Sequence, residues 1–152
     1  MIQQIDHVNL VVRDLNAMSA FYRHVLGFRL TKEATISGAW IEDVVGLADV
    51  VADVQYLDLP QGPRIELIHY QSPVGRPGVG FELPNKPGIR HLAFRVTDID
   101  ALCAKLRDSA VTLLSPVATV PDAQVTYAGG VRKRLVYFRD PEENLLEFCE
   151  YA

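Results

Sequence analysis

The sequence predicts an α+β protein built from two βαβββ modules within one domain, and three observations carry that expectation. The stretch Asp6-His7-Val8-Asn9-Leu10 returns as Arg90-His91-Leu92-Ala93-Phe94, an offset of 84 residues that also matches Asp14 with Asp98 and Ala17 with Ala101. The ends of the halves correspond at an offset of 81, through Tyr56 and Tyr137, Pro60 and Pro141, Glu66 and Glu147, and Tyr70 and Tyr151. Pro and Gly cluster between the alternating apolar runs, where regular elements stop. The halves thus differ by a three-residue loop deletion (84 − 81 = 3). Each module begins with a strand carrying a His and ends with a strand carrying a Glu. Two imidazoles and two carboxylates form a metal-ligand inventory.

Residues 5 to 12 alternate with strand period, placing Val8, Leu10 and Val12 on one face and His7, Asn9 and Val11 on the other. Asp14 is positioned to cap a helix over about 15 to 26, whose stripe is Leu15, Met18, Phe21, Val25 and Leu26, with Gly27 at its C-cap. A strand is expected from Phe28 to Thr35. Ile41 to Leu47 has helical spacing and no counterpart in the second half, which makes it a candidate lid. Strands over 51 to 59 and 64 to 70 flank the turn Pro60-Gln61-Gly62-Pro63. Residues 71 to 88 hold four Pro and four Gly and read as a linker between module one (1–70) and module two (89–152). The second module repeats the plan: strand 89 to 97, helix 98 to 109 capped by Asp98, strand about 111 to 118, strand 131 to 138, a turn at Asp140-Pro141 and strand 144 to 151.

With 152 residues, 49% hydrophobic and 22% charged, the chain has the composition of a globular domain with a real core. A net charge of −4, with Arg132-Lys133-Arg134 as its longest basic group, argues against nucleic acid as a partner. No apolar run approaches a membrane span and the N-terminus lacks the pattern of a secretory leader, so a cytoplasmic protein is expected. Cys103 and Cys149 offer neither a disulfide framework nor a CxxC spacing and read as buried thiols.

Strand parity sharpens the metal reading. His7 and His91 lie opposite their strands' apolar residues, as Glu66 lies opposite Ile65 and Leu67, and Glu147 opposite Leu146 and Phe148. Four ionisable groups turned away from the helix-packed face, in symmetry-matched strands, would carry a large desolvation cost if unpaired. A bound cation removes it. His69 has the opposite parity and His24 lies on a helix among core residues, so both read as structural. Arg95 shares the parity of His91 and is a candidate anion anchor. Asn9 and Tyr70 are expected to line the same substrate pocket.

This element order, the paired His and Glu strands and the helix text Ala20-Phe21-Tyr22-Arg23-His24-Val25-Leu26-Gly27-Phe28 resemble the vicinal oxygen chelate superfamily. That superfamily includes glyoxalase I, methylmalonyl-CoA epimerase, extradiol dioxygenases and bleomycin resistance proteins. The resemblance implies an eight-stranded, incompletely closed barrel around a metal cleft. By position it implies His7, Glu66, His91 and Glu147 as ligands of one divalent ion, Ni, Co, Zn, Mn or Fe. The full His, Glu, His, Glu set is most similar to the glyoxalase I and epimerase branch. The Arg and Asn that glyoxalase I uses on glutathione are replaced here by Val11 and Tyr70, so glutathione is not the expected substrate.

Such a site stays open, because four ligands leave two octahedral positions and the ion can act as Lewis acid on a carbonyl. Glu66 or Glu147 would then be the base that removes the neighbouring proton. The expected activity is that of a metal-dependent, glyoxalase-like isomerase, epimerase or lyase acting on a small anionic substrate. The expected assembly is a homodimer. Two rivals stand beside this reading. An extradiol dioxygenase needs an open face that Glu66 would occupy, and a non-catalytic drug-binding resistance protein has no need of all four ligands.

Overall fold

The computed structural model describes residues 1–76, 78 and 83–152. The chain divides into two compact units, Met1–Pro77 and Gly78–Ala152. In the first, the order is β1 (His7–Val11), α1 (Leu15–Ala20), a π-helical continuation (Phe21–Val25), β2 (Arg29–Ser37), α2 (Ala39–Val45), β3 (Val51–Asp58) and β4 (Arg64–Ser72). The second has β5 (His91–Arg95), α3 (Ile99–Asp108), β6 (Ala118–Thr119), a 3₁₀ turn (Ala128–Gly130), β7 (Lys133–Arg139) and β8 (Leu145–Tyr151). The βαβββ order holds in both. The eight strands form two four-stranded mixed sheets, β1-β4-β3-β2 and β5-β8-β7-β6, so hydrogen bonding closes no barrel among the described residues.

Each helix starts on the Asp expected to cap it. Asp14 Oδ1 accepts from Ala17 N at 2.9 Å and Asp98 Oδ1 from Ala101 N at 3.0 Å, satisfying amide donors that a first helical turn leaves without partners. Gly27 takes φ +82° just past the first helix, a left-handed turn that glycine adopts without steric cost. It brings Phe28 back so that its ring meets Tyr22 edge to face at 5.6 Å. In the first unit Met18, Tyr22, Leu57 and Leu67 are fully buried, where α1 packs on β3 and β4. In the second, Ile99, Cys103 and Leu106 recur at helical spacing and are buried where α3 packs on β8, with Val136, Phe138 and Leu146 also in the core. Cys103 and Cys149 are buried free thiols, and burial raises the pKa of both.

Several boundaries differ from expectation. The strand expected over 111 to 118 shrinks to Ala118–Thr119 plus a single bridge from Leu113 to Phe138. Pro116 has no N–H to give a ladder, which breaks the run. The strand expected from residue 89 begins at His91, and Ile89 is exposed. His24 is exposed on the π-helical segment rather than set in the core. Ile41 to Leu47 is largely helical, as α2, with Ile41 buried and Trp40 and Val44 exposed. Of the linker expected over 71 to 88, residues 77 and 79–82 lie outside the described residues, β4 extends to Ser72, and 83–90 form no strand or helix. No helix among the described residues is long and apolar enough to cross a membrane.

Candidate metal centre

The same local arrangement puts a His beside a Glu in each unit. β1 runs parallel to β4 with Asn9 paired to Glu66, and β5 runs parallel to β8 with Ala93 paired to Glu147. In both cases the His stands two residues earlier on the same strand, hence on the same face. His7 Nε2 lies 3.4 Å from Glu66 Oε2, and His91 Nε2 lies 3.2 Å from Glu147 Oε2. The carboxylates are the buried members, at 9% exposure for Glu66 and 3% for Glu147. Among the described residues neither pair extends to a group of three His, Cys, Asp or Glu side chains placed to hold an ion, so the expected four ligands are brought together two by two.

A tyrosine completes each pair. Tyr56 is directly across β3–β4 from Glu66, and Tyr137 directly across β7–β8 from Glu147. Hydrogen bonding to Glu66, followed by burial and the carboxylate's charge, pushes the Tyr56 phenol up to about 12. Tyr137 is also raised, by burial first and then by Glu147. The rings meet their histidines edge on, with centroids 6.4 Å apart for His7 and Tyr56 and 5.3 Å for His91 and Tyr137.

The units diverge in what else touches the carboxylate. In the first, Asn9 Nδ2 donates to Glu66 Oε2 at 3.0 Å, and His7 Nδ1 donates to Asp6 Oδ2 at 2.8 Å. The Asp6 bond directs the second imidazole nitrogen at Glu66, the outer support that metal-ligating histidines commonly have. A neutral His7 so held would aim a lone pair at a carboxylate oxygen, a repulsion that a proton or a cation between the two groups would relieve. In the second unit the equivalents of Asp6 and Asn9 are Arg90 and Ala93. There Lys133 Nζ stands 2.9 Å from Glu147 Oε1, and that contact with the carboxylate is the main reason its pKa is raised. Glu147 Oε1 is buried and receives no aligned hydrogen bond. Both carboxylates therefore retain the kind of oxygen lone pair that a divalent ion takes.

A family model described as Glyoxalase/Bleomycin resistance protein/Dioxygenase superfamily matches residues 4–148. The chain belongs to that superfamily. Its relatives within the superfamily include YaeR, an uncharacterized protein of Escherichia coli, 30% identical over 151 residues that cover 98% of this chain and 97% of YaeR. Human mitochondrial methylmalonyl-CoA epimerase is 30% identical over 115 residues, 74% of this chain and 57% of the epimerase. A crystal structure of a glyoxalase family protein from Bacillus cereus superposes with a TM-score of 0.82 at 28% identity, covering 100% of this chain and 96% of that one.

The remaining residues named from the sequence fall as follows in this superfamily member. Arg95 is exposed, with its guanidinium carbon 5.2 Å from the centroid of the Tyr151 ring, and it makes no hydrogen bond or ion pair to another described residue. Tyr70 lies within the C-terminal part of β4, paired with Ala52. His69 Nδ1 donates to the Val12 carbonyl at 3.1 Å, the structural role expected of it. Sequence reasoning missed Lys133, Asp6 and the two tyrosines as parts of the site. Tyr56 and Tyr137 were visible as a repeat pair, and only the hairpin register shows that each faces a Glu. Lys133 shares the parity of Tyr137 along β7, a relationship hidden by reading Arg132-Lys133-Arg134 as one basic group.

Proposed function

We propose that this chain is a divalent-metal-dependent isomerase, epimerase or lyase that moves a proton at a carbon next to a carbonyl of a small anionic substrate. His7, Glu66, His91 and Glu147 would be the ligands of one ion, the two modules acting as one functional domain. The observation that carries the reading is the repeated His–Glu pair at 3.4 and 3.2 Å. Ligand atoms about 2.1 Å from an ion and at right angles to one another lie about 3.0 Å apart, close to both spacings. When bound, the ion would supply Lewis acidity at the substrate carbonyl and draw on Ni, Co, Zn, Mn or Fe, since the donors are nitrogen and hard oxygen without thiolate.

The protein's own groups supply the rest. Glu66 or Glu147 would take the proton, a role that typically contributes about 10²- to 10⁴-fold in rate. Asn9 holds Glu66 in orientation, with Tyr56 directly across the hairpin from it, and Asp6 holds His7. Arg95 would bind the substrate's anionic group, with Asn9 and Tyr70 on the same sheet faces as the ligands. The relative named as an epimerase supports the proton-transfer class over oxygen chemistry. A homodimer would complete the assembly, with α2 as a cover for the site. The test is proton exchange in D₂O, followed by NMR, across a panel of 2-oxo acids and 2-branched acyl thioesters with the metal-loaded protein. Exchange that depends on added metal supports the proposal. Oxygen consumption with catechols and no exchange would replace it with the dioxygenase reading.

A further inference from the structure

The two carboxylates of the candidate centre differ at the oxygen turned away from the histidine. Glu66 meets both His7 Nε2, at 3.4 Å, and the Asn9 amide, at 3.0 Å, on Oε2, and among the described residues it has no lysine or arginine in ion-pair contact. Glu147 is engaged on both oxygens, with His91 Nε2 3.2 Å from Oε2 and Lys133 Nζ 2.9 Å from Oε1. Each carboxylate has a tyrosine directly across its hairpin, so the tyrosines do not distinguish them. The repeat breaks at the residues that do: Asn9 corresponds to Ala93, and Lys133 to Ala52.

We infer that Glu66 is the base of the proposed reaction and that Lys133, as a positioning residue, confines Glu147 to the role of ligand. The inference rests on the metal-dependent proton-transfer reading above and narrows it. With Oε2 of each carboxylate turned to its histidine, Oε1 is the oxygen left to take a proton. On Glu147, protonation would neutralise a carboxylate buried to 3% exposure and strand the ammonium of Lys133, whose own side chain is 19% exposed. Removing one partner of a buried ion pair in this way is strongly unfavourable. On Glu66, a proton at Oε1 leaves Oε2 to accept the Asn9 bond, and no charge loses its partner. In the step itself the C–H bond breaks, the proton passes to Glu66, and the bonding pair moves into the carbonyl to give an enolate. The same carboxyl then returns the proton to carbon. One carboxylate serves one face of the carbon, which favours an isomerase or lyase over an epimerase with a base on each side.

The experiment is exchange in D₂O by the nickel-loaded protein, with 2-oxobutanoate and each enantiomer of a 2-methylbutanoyl thioester as probes. With wild type, one enantiomer should gain deuterium and keep its configuration, and one of the two methylene hydrogens of 2-oxobutanoate should exchange. Deuterium in the opposite enantiomer, or equal exchange of both methylene hydrogens, overturns the inference and leaves proton transfer standing. No nickel-dependent exchange of either probe overturns the proton-transfer reading itself. At saturating Ni(II), Glu66→Gln should lower exchange per bound nickel by about 100-fold or more, and Glu147→Gln by less than about 10-fold. Equal losses, or the reverse order, overturn the inference. Lys133→Met should release Glu147, so that the enantiomer inert with wild type begins to exchange, whereas Lys133→Arg keeps the charge and the one-sided pattern. A one-sided pattern in Lys133→Met overturns the part assigned to Lys133. Urea unfolding of the metal-free wild type, Lys133→Met, Glu147→Gln and the double variant gives a reading that needs no substrate. The two side chains should be coupled by about tenfold or more in the unfolding equilibrium, and coupling below about threefold overturns the hold of Lys133 on Glu147.

Discussion

Tyr56 faces Glu66 directly across the β3–β4 hairpin, and that placement ties the ionisation of the phenol to the charge of the carboxylate. A phenol that donates to a carboxylate loses both the hydrogen bond and the favourable dipole when it ionises, and it becomes a second negative charge beside the first. Its pKa rises for that reason, to about 12 from an ordinary value of 10.0.

A group whose pKa is raised on folding stabilises the fold fully below its unfolded value, and that contribution is lost as pH climbs toward the folded value. For Tyr56 the window runs from about 10 to about 12. Absorbance titration near the phenolate band should show one late-ionising tyrosine that is missing in Tyr56→Phe. Glu66→Gln should bring that step back toward the ordinary range. A late step that survives Glu66→Gln would mean that burial, rather than the carboxylate, raises the phenol.

The repeat made much of this architecture readable without coordinates. Offsets of 84 and 81 bracket the modules because the His strand and the Glu strand are fixed by separate constraints, capping and parallel pairing at one end and a hairpin turn at the other. Alternation placed His7 and Glu66 on one face, since parity is local and each strand carries it whole. It could not show Tyr56 or Lys133 beside a carboxylate, because cross-strand neighbours depend on register, which the turn sets and composition does not. The overlong strand over 111 to 118 has another origin. Val111, Leu113 and Val117 suit a strand, but Pro116 removes a donor in the middle of the ladder, and only Ala118–Thr119 pair.

Asp140 offers a test of the turn that sets the second register. Its carboxylate is buried to 3% exposure, with Oδ1 accepting from Glu142 N and Asn144 N at 2.9 Å each and Oδ2 from Asn144 Nδ2 at 2.8 Å. The bonds hold Glu143 at φ +70° and bring β8 back against β7. Asp140→Ala strands those donors, and a loss on the order of 2–4 kcal/mol is expected. Urea unfolding should show a lowered midpoint with the slope unchanged. A loss below about 1 kcal/mol would show that water replaces the carboxylate at little cost.

Metal uptake should follow the ligand set. About one divalent ion per chain is expected, from six-coordinate chemistry with mixed nitrogen and oxygen donors. His7→Ala with Glu147→Ala removes one ligand from each pair and should abolish stoichiometric uptake, measured by elemental analysis after dialysis. Asp6→Asn is a milder probe, because it weakens only the support behind His7, and a 10- to 100-fold loss of affinity is typical for such outer partners. Unchanged uptake in the double variant would show that these residues do not hold the ion.

Arg95 decides whether the substrate is held by its charge. On β5 it lies on the face of His91 and Ala93, exposed, with its guanidinium over Tyr151 and no carboxylate partner among the described residues. The equivalent residue of the first module is Val11, which is also exposed but can bind no anion. A guanidinium in this position would take a substrate carboxylate by paired, charge-assisted hydrogen bonds, and stacking on Tyr151 restricts its rotamers beforehand. Arg95→Met keeps most of the apolar stem while removing the charge, so folding and metal content should remain those of the wild type. KM for an anionic substrate found in the exchange panel should rise by roughly 10-fold or more, the loss expected for one charge-assisted contact. An uncharged ester of the same substrate should show no such difference between the two proteins. If KM is unchanged for the acid, or if metal is lost with activity, Arg95 supports the sheet rather than the substrate.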